Sequence, residues 1–169
     1  PKEIKAFYMK LNKDDKTVFD ISLSLSRDVV KDIAITFAHD KQELSGRAQE
    51  LQAHINGGFT PALKQSRFTG GEAQTRFIDT FGRDGAAGVL LVGTGKLDDL
   101  TEDSFRRMGI AVGKRLDELG VTSATLLSEG MGSVDEQTAT VAFTEGLALG
   151  VYQFHDHRTN LKENEKSCF

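Results

Sequence analysis

The chain has 169 residues, 38% hydrophobic and 27% charged, which is typical of one globular domain with its own core. Its formal net charge of -4 and the lack of a polybasic block disfavour nucleic-acid binding, because the chain would repel a phosphate backbone. The single cysteine, Cys168, excludes an internal disulfide framework and a structural zinc site, and no apolar run approaches the roughly 18 residues that cross a bilayer, so we expect a soluble cytoplasmic domain without a membrane partner.

The first part of the chain carries strand signals. Residues 4–9 and 17–25 favour strands, and in the second segment Ile21, Leu23 and Leu25 alternate with serines at period two. Residues 32–38, DIAITFA, are uniformly apolar and partly β-branched. That pattern predicts an interior strand covered on both faces.

Two helices are predicted next. Asp40 is a capping residue followed three positions later by Glu43, and apolar residues then recur at helical spacing as far as the glycine pair at 57–58. Thr60 precedes Pro61, a residue that is tolerated in the first turn of a helix. This pair predicts a short second helix capped by Thr60.

The middle of the chain predicts two strands and a well-marked helix. Residues 73–80 and 86–93 favour strands separated by a glycine-rich turn. Thr101 can cap the helix that follows, and Gly120 supplies its stop. The apolar residues between them form one stripe at helical spacing: Phe105, Met108, Val112, Leu116 and Leu119.

The last elements complete the predicted fold. Residues 123–128, SATLLS, favour a short strand, and Ser133 with Glu136 forms a capping box that opens a long helix through about Phe154. This helix is apolar around much of its circumference, which predicts burial. The order of strands and helices predicts an α/β domain of three layers, α/β/α, with a mixed sheet.

The stretch at 88–96, GVLLVGTGK, resembles a phosphate-binding loop, so we compare it with two nucleotide-binding sequence motifs. The Walker pattern needs a glycine where Leu90 stands and a serine or threonine where Leu97 stands. The dinucleotide pattern needs a third glycine where Asp98 stands. Because both patterns fail, we favour a turn between a strand and a helix over a phosphate site.

The histidines are interpreted as surface or isolated polar residues. His155 and His157 flank Asp156, and a His-x-His pair can chelate a metal when it lies on a strand. Here the pair falls at a predicted helix end, where the two rings would point in different directions. His39 and His54 have no ligand partners near them in the sequence.

The remaining chemical signals are weak. Cys168 lies in a polar tail and predicts an exposed thiol without a nucleophile signature, while Gly146 and Gly150 predict the close approach of a neighbouring element. No nucleophile elbow or His-Glu-x-x-His motif occurs. We therefore assign no catalytic, cofactor-binding or metal-binding residue.

Three stretches together resemble one family. They are RFTGGEAQTRFIDTFG at 67–82, GVLLVGTGKLDDLTEDSFRRMGIAVGKRL at 88–116 and FTEGLALGVYQFHDHRTN at 143–160. In this order they resemble the N-terminal domain of the leucyl aminopeptidases, also called cytosol aminopeptidases. His157 and Arg158 take the places of an aromatic residue and a lysine that the family usually has.

The resemblance implies a macro-domain-like fold and a non-catalytic role. Residues 1–160 would form an N-terminal accessory domain, and residues 161–169 would begin the linker to a catalytic domain that this sequence lacks. The family's enzymes are hexameric exopeptidases that use two divalent metal ions, zinc or manganese, to release N-terminal residues such as leucine. The catalytic motif Asn-Thr-Asp-Ala-Glu-Gly-Arg does not occur in this chain, so no catalytic residue is carried over and the chain itself is expected not to be an enzyme.

Two functions follow as hypotheses. In the first, the domain supports oligomer assembly and positions its own catalytic domain, so its partners are that domain and other subunits. In the second, it is a stand-alone macro-like module that binds an ADP-ribose-type nucleotide near Gly93.

Overall fold

The structure is a computed structural model, and it describes residues 20–23, 33–54, 58–82, 87–121 and 123–156. The strands are β1 Asp20–Leu23, β2 Ile33–Ala38, β3 Thr75–Asp79, β4 Gly88–Gly93 and β5 Ser123–Leu126. The helices are α1 Gly46–His54, α2 Phe59–Lys64, α3 Glu102–Glu118 and α4 Glu136–Asp156. The strand predicted at 4–9, the linker predicted at 161–169, His157 and Cys168 lie outside the described residues.

The five strands form one mixed sheet in the order β1-β5-β2-β4-β3. β1, β5, β2 and β4 run parallel to one another, while β3 is antiparallel to β4 and stands at one end of the order. All six residues of β2 and all six of β4 are buried, as their continuous apolar sequences predict for strands covered on both faces. The mixed sheet predicted from the element order is confirmed.

Helices cover the sheet on both faces, which makes three layers. The side chains of Ile35 and Phe37 face α3 and α4, while Ala34 and Ala38 face α1 and α2, because successive residues of a strand point to opposite faces. The Phe37 ring meets the rings of Phe105 and Phe143 edge-on, at centroid distances of 6.2 and 5.7 Å. The larger core therefore lies between the sheet and the α3–α4 pair.

Helix α3 forms as its sequence predicts. The Thr101 hydroxyl accepts from the backbone N–H of Ser104, and the Ser104 hydroxyl accepts in return from the backbone N–H of Thr101. This reciprocal box gives side-chain acceptors to two amides at the start of the helix. The helix ends before Gly120, which has a φ of +65° and can adopt the left-handed conformation without a side-chain clash.

Helices α3 and α4 lie in backbone contact. A Cβ placed on Gly146 would stand 1.9 Å from the Arg106 carbonyl oxygen, and one on Gly109 would stand 2.1 Å from the Phe143 carbonyl oxygen. Such distances leave no room for even a methyl group. The close approach predicted for Gly146 and Gly150 is confirmed.

Three predicted helix starts are wrong. Helix α1 begins at Gly46 and is capped by Ser45, whose hydroxyl accepts from the Ala48 N–H at 3.3 Å, whereas Asp40 starts a short 3-10 turn. Helix α2 begins at Phe59, so Thr60 lies inside the helix and does not cap it.

Helix α4 is capped by Asp135 and not by Ser133. A carboxylate oxygen of Asp135 accepts from the backbone N–H groups of Gln137 at 3.0 Å and Thr138 at 3.1 Å. Glu136 instead accepts a hydrogen bond from Ser128. Asp135 is nearer to the helix than Ser133, so its carboxylate reaches the first free amides.

None of the helices within the described residues combines the length and apolar character needed to cross a bilayer.

Candidate functional site

Several loops meet at one end of the sheet. β2, β4 and β5 are parallel, so the segments after Ala38, Gly93 and Leu126 emerge at the same edge. The antiparallel strand β3 brings the turn at 70–74 to that edge as well. Ligands of open α/β sheets bind beyond the carboxyl ends of the strands, so this end of the sheet, referred to as the carboxyl edge, is the candidate site.

The glycine loop after β4 has its backbone amides engaged by the protein itself. The N–H of Gly93 donates to the Gln74 carbonyl at 2.7 Å, that of Thr94 to the Ala38 carbonyl at 2.9 Å, and that of Gly95 to the Gly70 carbonyl at 2.8 Å. A phosphate loop needs such N–H groups to point at the ligand. The geometry supports the interpretation of this stretch as a structural turn, with the 3-10 turn Leu97–Asp99 between it and α3.

Gly70 allows the crossing of these loops. It has a φ of +83°, and a Cβ built on it would lie 1.8 Å from the His39 carbonyl oxygen. Gly93 is similarly confined, because its Cβ would stand 2.0 Å from the Gly71 carbonyl oxygen. Backbone atoms of three loops thus fill the space next to the glycine loop.

His39 is joined to the glycine loop, so its interpretation as an isolated polar residue is wrong. Its Nδ1 atom lies 2.9 Å from the Thr94 hydroxyl, and the ring is half-buried. Burial lowers the pKa of the His39 imidazole from its ordinary value, and the Glu43 carboxylate opposes that shift in part. The contact forms because β2 and β4 pair Ala38 with Gly93, which makes the next residue of each strand a neighbour.

A second polar group lies at the same edge, beside the start of α1. Glu129 follows β5, accepts hydrogen bonds from the Ser45 hydroxyl and the Arg47 backbone N–H, and has one buried carboxylate oxygen, Oε1, with no partner among the described residues. Burial raises the pKa of Glu129 against these hydrogen bonds, and the nearby Glu136 carboxylate raises it further. Sequence reasoning missed this residue.

Replacing Glu129 with glutamine is expected to stabilise the protein at pH 7. Because the pKa is raised in the folded state, the folded protein binds this proton more tightly than the unfolded chain does. The destabilising effect of burying the charge is therefore fully present at pH values above the folded-state pKa of Glu129, and it is absent at pH values below the ordinary pKa of a glutamate. Urea unfolding of both proteins at pH 7 and pH 4 should give a difference only at pH 7.

Glu118→Gln is the matched control, because Glu118 is an exposed residue of α3 that pairs with Arg115. Such a pair contributes about 0 to 1 kcal/mol. A Glu129→Gln effect of the same size at both pH values would contradict the assignment.

The other candidate residues do not join this edge as a ligand set. His54 is an exposed residue near the end of α1, and the side chain of His155 lies outside the described part of the chain. Within the described ranges, no three His, Cys, Asp or Glu side chains come together in a way that could hold a metal ion.

Comparison with known proteins decides the family. The model of the cytosol aminopeptidase family, N-terminal domain, matches residues 34–161. The chain belongs to this family. The family's "probable cytosol aminopeptidase" of Geotalea uraniireducens (strain Rf4) is 34% identical over 113 residues, covering 65% of this chain and 22% of the relative. That of Sulfurihydrogenibium sp. (strain YO3AOP1) is 26% identical over 149 residues, covering 86% of this chain and 30% of the relative.

Solved structures support the fold. The macrodomain of Mycobacterium tuberculosis DarG superposes with a TM-score of 0.59 at 17% identity, over 76% of this chain and 90% of that chain. The bottromycin maturation enzyme BotP superposes with a TM-score of 0.52 at 18% identity, over 82% of this chain and 29% of that chain. At such identities the likeness concerns the fold alone, and it confirms the macro-domain-like architecture.

Proposed function

We propose that this chain is the non-catalytic N-terminal domain of a leucyl aminopeptidase. The observation that carries the proposal is the match of residues 34–161 to the family's N-terminal domain, together with the 22% and 30% of two relatives that the chain spans. The parent would be a cytoplasmic two-metal exopeptidase that releases N-terminal residues such as leucine. Residues 1–160 would form the accessory domain and residues 161–169 the start of the linker.

The domain would position the catalytic part of the enzyme and support assembly of a homo-oligomer, a hexamer in the family. Its structure suits a scaffold, since the backbones of α3 and α4 are in contact and three consecutive backbone N–H groups of the glycine loop donate hydrogen bonds to neighbouring loops and strands. Close packing of this kind resists deformation. The partners of the domain would be the catalytic domain and neighbouring subunits.

The purified 169-residue chain is expected to show no turnover of a leucine chromogenic amide with manganese or zinc. The full-length Geotalea uraniireducens relative, assayed in the same buffers, is the positive control. Both proteins should be checked for folding by circular dichroism before the assay. Robust, metal-dependent and leucine-selective release of the chromophore by the chain would overturn the non-catalytic role.

A macro-like module for an ADP-ribose-type nucleotide is the second candidate, favoured only by the fold likeness to the DarG macrodomain. Fold likeness does not fix function. The engaged amides of Gly93, Thr94 and Gly95 oppose it, because they already donate to carbonyl groups of the protein.

Titration calorimetry is therefore expected to detect no heat when ADP-ribose is added to the chain at high micromolar concentration. The isolated DarG macrodomain would serve as the comparison protein. Saturable heat with this chain would favour the nucleotide module instead.

A further inference from the structure

Among the described residues, β3 has no strand beside the edge that faces away from β4. Among the described strands β3 pairs only with β4, and the register places Arg76 opposite Leu91 and Ile78 opposite Val89. The Gly93 N–H donates to the Gln74 carbonyl and the Thr80 N–H donates to the Ala87 carbonyl, so the even-numbered residues bond toward β4. Because antiparallel bonds alternate, the N–H and C=O groups of the odd-numbered residues of β3 point to the open edge: Thr75, Phe77 and Asp79.

An exposed aromatic residue stands at the end of this edge. Phe81 is 86% exposed and has a φ of +54°, a conformation that bulky residues rarely adopt. The Asp79 carboxylate holds the turn by accepting from the Phe81 N–H at 2.7 Å. A large ring kept in solvent by a strained turn is a feature expected of a contact surface.

A cavity of about 350 Å³ runs along the same edge on the α2 side. Gly58 and Ala62 border it on one side, and Arg76, Ile78 and Phe81 border it on the other. Side chains of a strand added to the edge, pointing to the α2 side, would lie over this space. Among the described residues, this edge thus offers both outward-pointing backbone N–H and C=O groups and room for an additional strand.

We propose that this edge pairs with the β3 edge of a second copy of the chain, antiparallel and about a two-fold axis at Phe77, which joins two five-stranded sheets into one. This pairing would be one contact through which the domain supports assembly, and it rests on the proposed function in that respect. Three opposed pairs would form about six backbone hydrogen bonds, two for each pair. An isologous contact of this kind closes after two copies.

Charge favours this register over one with the axis at Asp79. With the axis at Phe77, Thr75 lies opposite the partner's Asp79, where its hydroxyl can donate to the carboxylate, and Arg76 lies opposite the partner's Ile78. An axis at Asp79 would place two carboxylates directly opposite one another, which is unfavourable. An axis at Thr75 would leave the backbone groups of Phe77 and Asp79 without partners. The axis at Phe77 also brings each Phe81 near the partner's Ala73.

Sedimentation equilibrium of the full 169-residue chain, from micromolar to millimolar under reducing conditions, tests the proposal. We expect a monomer–dimer equilibrium. Thr75→Asp should weaken the dimer about tenfold, because it sets two like charges opposite each other twice across the axis. Thr75→Lys, the matched control, should leave the dimer unchanged or tighter, because lysine would face the partner's Asp79.

Phe81→Asn is a second variant that keeps the fold, because asparagine tolerates a positive φ. It should weaken the dimer while leaving thermal stability unchanged or higher. A wild-type chain that stays monomeric throughout, or a dimer equally affected by Thr75→Asp and Thr75→Lys, would overturn the edge pairing. The leucine amide assay is independent of these results, so an inactive monomer refutes the pairing alone, while an active chain refutes the proposed function.

Discussion

Replacing Gly146 with alanine is expected to lower the free energy of unfolding by at least about 2 kcal/mol. The new Cβ would stand 1.9 Å from the Arg106 carbonyl oxygen, a backbone atom that cannot move away without shifting α3. Overpacking costs about 1 to 3 kcal/mol, and this contact belongs at or above the upper end. Alanine recovers about 1 kcal/mol through its helix propensity.

Thermal unfolding should show this loss as a fall in Tm of about 4 to 8 °C. Gly46→Ala is the matched control, because its Cβ would meet only a Glu129 carboxylate oxygen at an ordinary 3.6 Å. That variant should be neutral or more stable. Equal stability of the Gly146→Ala variant and the wild type would mean that α3 and α4 are not in backbone contact.

The α3 boundaries could be predicted from the sequence because the signals are local. Thr101 and Ser104 are three residues apart, and Gly120 acts on the turn in which it lies. The start of α1 could not be predicted this way. Lys41 and Gln42 have φ values of +59° and +64°, so the chain turns out of the helical conformation just after Asp40. Contacts with the neighbouring loop hold this turn, since Gln42 donates from its backbone N–H to the Thr69 carbonyl.

At the candidate site, too, features set by residues close in sequence could be predicted, whereas contacts between residues far apart in sequence could not. The mismatches at Leu90, Leu97 and Asp98 were enough to argue against a phosphate loop, because the patterns are defined by short spacings. The contact between His39 and Thr94 joins residues 55 positions apart. It depends on β2 lying beside β4, and a strand order cannot be read from one-dimensional periodicity.

Macro-like folds place loops at the carboxyl edge of the sheet, and in this chain those loops bind one another. The carbonyl of Gly95 accepts from the Asp40 N–H at 3.0 Å, and its N–H donates to Gly70, so the glycine loop lies between two other loops. A crevice filled with paired backbone groups has few free donors for a ligand. This arrangement is the physical reason to favour a scaffold over a nucleotide module.

Replacing Gly70 with alanine is expected to cost at least about 3 kcal/mol, because two effects add. At a φ of +83° a residue with a Cβ is strained by about 1 to 2 kcal/mol. The Cβ would also stand 1.8 Å from the His39 carbonyl oxygen, so the loop that carries His39 must move. A domain that is stable by about 5 to 15 kcal/mol would lose a large share of that stability.

Gly120→Ala separates the two effects, because Gly120 has a φ of +65° with no atom within 4 Å of the added Cβ. It should cost about 1 to 2 kcal/mol, the strain alone. NMR titration adds a local measurement, since displacement of the His39 loop should expose the ring and return its lowered pKa toward the ordinary value in the Gly70→Ala variant but not in Gly120→Ala. If the two variants lost the same stability and left the His39 pKa unchanged, the loops would not cross at Gly70, and the amides of the glycine loop would have to be regarded as open to a ligand.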